Sequence, residues 1–140
     1  MKNILIVIGT FLCSSLSFAQ ATDSVKSNAS IKFETTSHSF GNIIEGQMAT
    51  HEFVFTNTGT DPLSLTNVRA SCGCTTPSWP REVIEPGKSA TIRAEYNSNG
   101  RPGTFTKNIF VTSNSGESTL TISGNVVKEP EKPVSPIIIK

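Results

Sequence analysis

Cys72-Gly73-Cys74, in the stretch Arg69-Ala70-Ser71-Cys72-Gly73-Cys74-Thr75-Thr76-Pro77, is the part of this chain best suited to chemistry. On an extended strand, residues two apart point to one face. The two Cα atoms would then lie roughly 6.5–7 Å apart, at or beyond the upper limit for a disulfide. A bend at Gly73 could close that gap. Four readings of the pair stand open. It can be a local disulfide or thiol pair that shapes the loop after the third strand. It can be a redox-active dithiol, although nothing nearby reads as the helix N-terminus or βαβ unit that usually supports one. It can be a soft-metal site, with copper(I) the natural guest for two thiolates. It can be two free, buried cysteines. Zinc needs four ligands, and His38, His51 and scattered carboxylates are the other candidates. Met48 alone makes no copper motif. A bond between Cys72 and Cys74 would close almost no chain and so add little stability.

Trp79, between Pro77-Ser78 and Pro80, has two readings. It covers the Cys-Gly-Cys loop as a lid, or it packs beneath its own loop. His38 and His51 read as surface or edge-strand residues. Other signals fail on context. Gly87-Lys88-Ser89 resembles part of a phosphate loop, but Glu82 stands where the first glycine belongs and no helix follows. No serine has a nucleophile-elbow context. Glu82 and Glu85 flank a turn and read as solvated. No cofactor and no enzyme activity are expected.

The elements that must hold these residues are strands. Phe53 and Phe55 alternate with polar residues, as do Leu63 and Leu65. Val68, Ala70, Cys72 and Cys74 alternate in the opposite phase, which predicts a bulge or strand switch at Thr66-Asn67. Ala90, Ile92, Ala94 and Tyr96 form one inward face. Phe105, Ile109 and Val111 form another, with Lys107 the exception. Leu120, Ile122, Gly124 and Val126 form the last. Asn57-Thr58-Gly59, Asp61-Pro62, Pro86-Gly87, Asn99-Gly100, Pro102-Gly103 and Asn114-Ser115-Gly116 punctuate these runs as turns. No helical period appears. About seven short strands at this spacing predict an all-β, immunoglobulin-like β-sandwich.

The sandwich is expected over residues 31–127. Residues 1–19 have the layout of a cleaved signal peptide: Lys2, an interrupted apolar run, and Ser17-Phe18-Ala19 ahead of Gln20. Leu12 argues against lipidation of Cys13. No other stretch could span a membrane after that cleavage. Residues 20–30 read as a flexible leader, in which Asp23-Ser24-Val25 resembles a bacterial O-glycosylation site. Residues 128–140 read as a Pro-rich C-terminal tail ending in Ile137-Ile138-Ile139-Lys140. Without residues 1–19, eleven of the twelve basic residues remain against eleven acidic ones. This neutral balance shows no basic stripe and argues against nucleic-acid binding. The expected place is outside the cytoplasm, periplasmic, cell-surface or secreted, where two free thiols would need a reason.

Several phrases occur together in this order. Phe40-Gly41-Asn42-Ile43-Ile44-Glu45-Gly46 precedes Phe53-Val54-Phe55-Thr56-Asn57-Thr58-Gly59 and Pro62-Leu63. Then come Ser71-Cys72-Gly73-Cys74-Thr75, Ile84-Glu85-Pro86-Gly87-Lys88 and Gly100-Arg101-Pro102-Gly103. Over about residues 33–127 the chain resembles the bacterial domain-of-unknown-function 1573 family, akin to the immunoglobulin-like domains of the major sperm protein and Hydin superfamily. The resemblance implies an exported β-sandwich, often with the Cys-Gly-Cys-Thr phrase, and no assigned activity or catalytic residues. Composition, fold and family together predict a monomeric, non-catalytic binding or structural module of the cell envelope. Its expected partner is an envelope protein, bound through loops or an edge strand. The rival expectation is a thiol-redox or copper(I) protein using Cys72 and Cys74.

Overall fold

A computed structural model describes residues 27–130. The predicted signal peptide, most of the leader with Ser24, and the Ile137–Ile139 end of the tail lie outside the described residues.

The molecule is all-β, and its period-two patterning becomes eight strands: β1 (Ile31–Phe33), β2 (Ser37–Ile44), β3 (Met48–Asn57), β4 (Leu65–Ala70), β5 (Thr75–Ser78), β6 (Ser89–Asn97), β7 (Gly103–Ser113) and β8 (Gly116–Val127). They form two four-stranded sheets, ordered β1-β3-β6-β5 and β2-β8-β7-β4. Pairing is antiparallel throughout except between β2 and β8, which run parallel. Inward residues of both sheets make the core. Phe53, Phe55, Leu63, Ile92, Ile109, Leu120 and Ile122 are fully buried within it, each contributing about 1.5–3 kcal/mol of apolar burial. Tyr96 and Phe105 stack across it with ring centroids 3.8 Å apart.

The eighth strand arises because the first edge segment divides. β1 pairs with β3 only from Ile31↔Asn57 to Phe33↔Phe55. The chain then crosses at Glu34–Thr36 to the other sheet and becomes β2. This split leaves one side of the sandwich open.

The predicted irregularity at Thr66-Asn67 is present as a register shift between Leu65 and Asn67 on β4. Leu63 sits just outside β4, in an isolated bridge with Ile84. The leader expected over residues 20–30 differs at its end, where residues 28–30 are packed. Ala29 is buried. Asn28 N donates to Asp61 Oδ2 at 2.9 Å, and Thr60 N donates to Asn28 O at 3.1 Å. Gly59 permits this approach, because a Cβ there would collide with the backbone of Asn28 and Ser30.

Asn57 ties these pieces together. Its side chain is fully buried at the end of β3. Nδ2 donates to Asp61 O at 2.8 Å and Ile84 O at 2.9 Å. Oδ1 accepts from Gly59 N at 3.0 Å and Ser30 N at 3.4 Å. All its polar capacity is therefore spent on four separate backbone points, as burial requires. The Pro86-Gly87 turn beside it closes as expected of a type II turn, with Gly87 at φ 78° and Lys88 N donating to Glu85 O at 3.0 Å.

Candidate functional site

The strand expected through Cys72 and Cys74 ends at Ala70, and the next one starts at Thr75. Between them the chain leaves one sheet and joins the other, because β4 pairs with β7 and β5 with β6. Cys-Gly-Cys is thus the corner of a sheet crossing. Ser71 N donates to Asn108 O at 2.8 Å on the β7 side, and Asn97 N donates to Cys74 O at 2.9 Å on the β6 side. Both sheets grip the corner.

The turn brings the two Cα atoms to 5.3 Å, and Cys72 and Cys74 are joined as a disulfide. An extended strand would have held them too far apart, so the turn supplies the geometry. Cys74 is buried and Cys72 half-buried. Thr75 Oγ1 lies 3.9 Å from the Cys72 sulfur and 4.0 Å from that of Cys74. Continuing the Ala70↔Ile109 register by two residues places Lys107 of β7 opposite Cys72. Lys107 is thus flanked by the corner on one side and by Ile122 of β8 on the other. A disulfide offers copper no thiolate, and no group of three or more His, Cys, Asp or Glu side chains suited to a metal occurs among the described residues.

Trp79 follows β5 and packs against the core. The Arg81 guanidinium lies over its ring, 3.9 Å from the centroid, a cation–π arrangement. Its indole Nε1 is buried without a hydrogen-bond partner. Glu82 and Glu85 are exposed.

The open side holds an arrangement that the sequence reading missed. His38 and His51 are expected from sequence as surface or edge-strand residues; His38 does lie on the edge strand β2, but both stand in inward rows. His51 lies in phase with Ala49 and Phe53 on β3, and His38 in phase with Phe40 on β2. The two rings stack face to face across the seam, with centroids 3.6 Å apart and planes 7° from parallel. Phe40 meets His38 edge-on at 4.7 Å, and Phe53 meets His51 edge-on at 4.6 Å. His51 Nε2 is buried and has no hydrogen-bond partner. Burial, then the neighbouring His38, lowers the His51 pKa below 6.5, with Glu52 opposing. The signal was in the sequence: each histidine sits two residues from an inward phenylalanine.

Two strand edges border this seam. β2 pairs with β8 on one side, and among the described residues no strand covers its other side. β3 pairs with β6, and β1 covers only its last residues, so Met48–Phe53 presents a second uncovered edge. Met48 is a conspicuously exposed hydrophobic residue there, at 55%. A surface recess beside β1, lined by Lys32, Phe33, Glu34, Thr56 and Thr58, adjoins the same side. No helix among the described residues is long and apolar enough to cross a membrane.

Comparison with solved structures supports the fold. A Porphyromonas gingivalis W83 protein of unknown function superposes with a TM-score of 0.63 at 15% identity, over 76% of this chain and 51% of that one. The chain therefore spans about half the length of that relative. The human CEP192 PapD-like domain 7, an ASH domain, superposes with a TM-score of 0.62 at 10% identity, over 71% of this chain and 87% of that one. The secreted serine protease VesC of Vibrio cholerae is similar with a TM-score of 0.50 at 16% identity, over 71% of this chain and 23% of the protease. At such identities the likeness is one of fold. No curated protein matches the chain. The family model for the protein of unknown function DUF1573 matches residues 31–126, the whole sandwich with its Cys-Gly-Cys corner and open seam. The chain belongs to the DUF1573 family.

Proposed function

We propose that this protein is an exported, monomeric, non-catalytic binding module of the bacterial cell envelope, and that it takes an extended strand of a partner protein along β2. The carrying observation is the character of that edge. A free strand edge offers unpaired N–H and C=O groups, and proteins usually blunt it with charge, proline, shortness or a cover. The other outer strands of the two sheets are blunted, and the uncovered part of β3 carries Glu52. β1 has three residues, including Lys32, and β5 has four, including Pro77. β4 carries Arg69 and a register break. β2 runs for eight residues, Ser37–Ile44, without Lys, Arg, Asp, Glu or Pro. Its one interruption is the register shift between Ser39 and Asn42, around Gly41.

The geometry fits strand addition. Thr121 N donates to Thr36 O at 2.8 Å, so Thr36 faces β8 and the amides of Ser37 and Ser39 point the other way. The partner strand is expected to be uncharged and rich in β-branched residues, matching Ser37–Ile44. The pattern of residues 1–19 supports export. The corner disulfide also suits an oxidising compartment.

The test uses a displayed library of ten-residue peptides selected on the immobilised protein, with Ser37→Pro as the edge variant. Proline there removes an outward N–H without touching the ladder to β8. The selection should return uncharged sequences of alternating pattern. Ser37→Pro should weaken them by about five- to tenfold, the worth of one hydrogen bond. Peptides without that pattern, or equal binding by a folded Ser37→Pro, would contradict the assignment.

A further inference from the structure

We propose that the His38–His51 stack is an acid-sensitive latch that holds β2 against β3 at neutral pH and loosens β2 when it is protonated. This regulates the edge assigned above, and what the loosening serves rests on that reading. The loosening itself does not.

β2 belongs to one sheet and β3 to the other, and no backbone pairing joins them. Side chains close the seam, and the histidine stack with Phe40 and Phe53 on its flanks is the aromatic contact that spans it. Two neutral imidazoles 3.6 Å apart and nearly parallel form a favourable stack. A proton on His51 charges a ring whose Nε2 is buried and unpartnered. A proton on each ring sets two cations face to face. Either charge favours separation and access to water.

The surroundings offer little to compensate. On β2 there is no charged residue. On β3, Glu52 is exposed on the opposite face from His51 and pairs in register with Arg93. On β6, Ala94 stands opposite His51, while Arg93 and Glu95 form an ion pair with N–O 3.0 Å. On β8, Ile122 stands opposite His38, and Glu117 lies at the start of that strand. Lys107 of β7 is in register with Ile122 and brings further positive charge to that row. At the end of β1, Lys32 and Glu34 bring one charge of each sign.

The sign follows from the depressed His51 pKa. The unfolded imidazole binds more protons than the folded one below about 6.5. The seam's contribution is therefore full above that pH and is lost as pH falls through the lower folded value.

Hydrogen–deuterium exchange of the full chain at pH 7.5 and pH 5, corrected for intrinsic rates, tests the latch without any partner. Amides of residues 37–44 should exchange about tenfold faster or more at pH 5, while β7 stays protected. His38→Phe/His51→Phe keeps an aromatic seam without a titrating group and should show no such change. Should that variant not fold, histidine side-chain NMR of the wild type supplies the same reading: titration of the His51 ring should come with shifts in β2 and β3 amides. Equal protection of residues 37–44 at the two pH values, or titration with no response in β2, would overturn the latch. Peptide binding measured at both pH values separates the two proposals. Faster β2 exchange without peptide capture would sustain the latch and contradict the binding role.

Discussion

Asn57 shows how one side chain can hold several chain segments. Truncating it would leave three backbone groups, at Ser30, Gly59 and Asp61, without their partner, while Ile84 O keeps its bond from Leu63 N. A buried orphan costs about 1–3 kcal/mol, and these part-buried groups are partly relieved where water can enter. Asn57→Ala is therefore expected to lower unfolding stability by about 2 kcal/mol or more, read as a lower urea midpoint with unchanged slope. A loss under about 1 kcal/mol would mean that the four contacts are replaceable. The sequence placed Asn57 at a hairpin end because Asn-Thr-Gly is turn chemistry, but nothing local revealed that its side chain would reach Ile84. The histidines show the converse. Their parity with Phe40 and Phe53 was visible, while their polarity suggested surface.

At the scale of elements, the Cys-Gly-Cys corner explains why the alternation seemed to run straight from Val68 to Cys74. A chain that changes sheet in a sandwich still faces the same core, so inward residues recur although the strand has ended. Alternation reports facing and says nothing of which sheet a residue belongs to. The corner is also held by backbone bonds on both sides. The disulfide closes a very small loop, worth less than about 2 kcal/mol. Cys72→Ser/Cys74→Ser should therefore remain folded and lose no more than that. Intact mass of the wild type, alkylated natively without reductant, should show a chain short of two hydrogens and without label. Two labels on native protein would favour the thiol or copper(I) reading instead. The segment at residues 28–30 escaped detection for a different reason. It is short and polar, and it is held by hydrogen bonds to residues distant in sequence.

For the whole molecule, the all-β sandwich was legible in strand parity, turn residues and the phrases shared with the family. The strand order was not. The split of the first edge into β1 and β2, and the parallel pairing of β2 with β8, depend on contacts between residues distant in sequence. That split creates the open side on which the functional proposal rests. The most direct measurement places a photocrosslinking amino acid at single positions in the protein inside its own cells. Ser37 and Thr50 report the open side, and Glu85 and Glu117 serve as exposed controls. A discrete adduct is expected from Ser37 and Thr50, lost from Thr50 when Ser37→Pro is combined with it. Adducts from Glu85 or Glu117 with none from the open side would contradict the account.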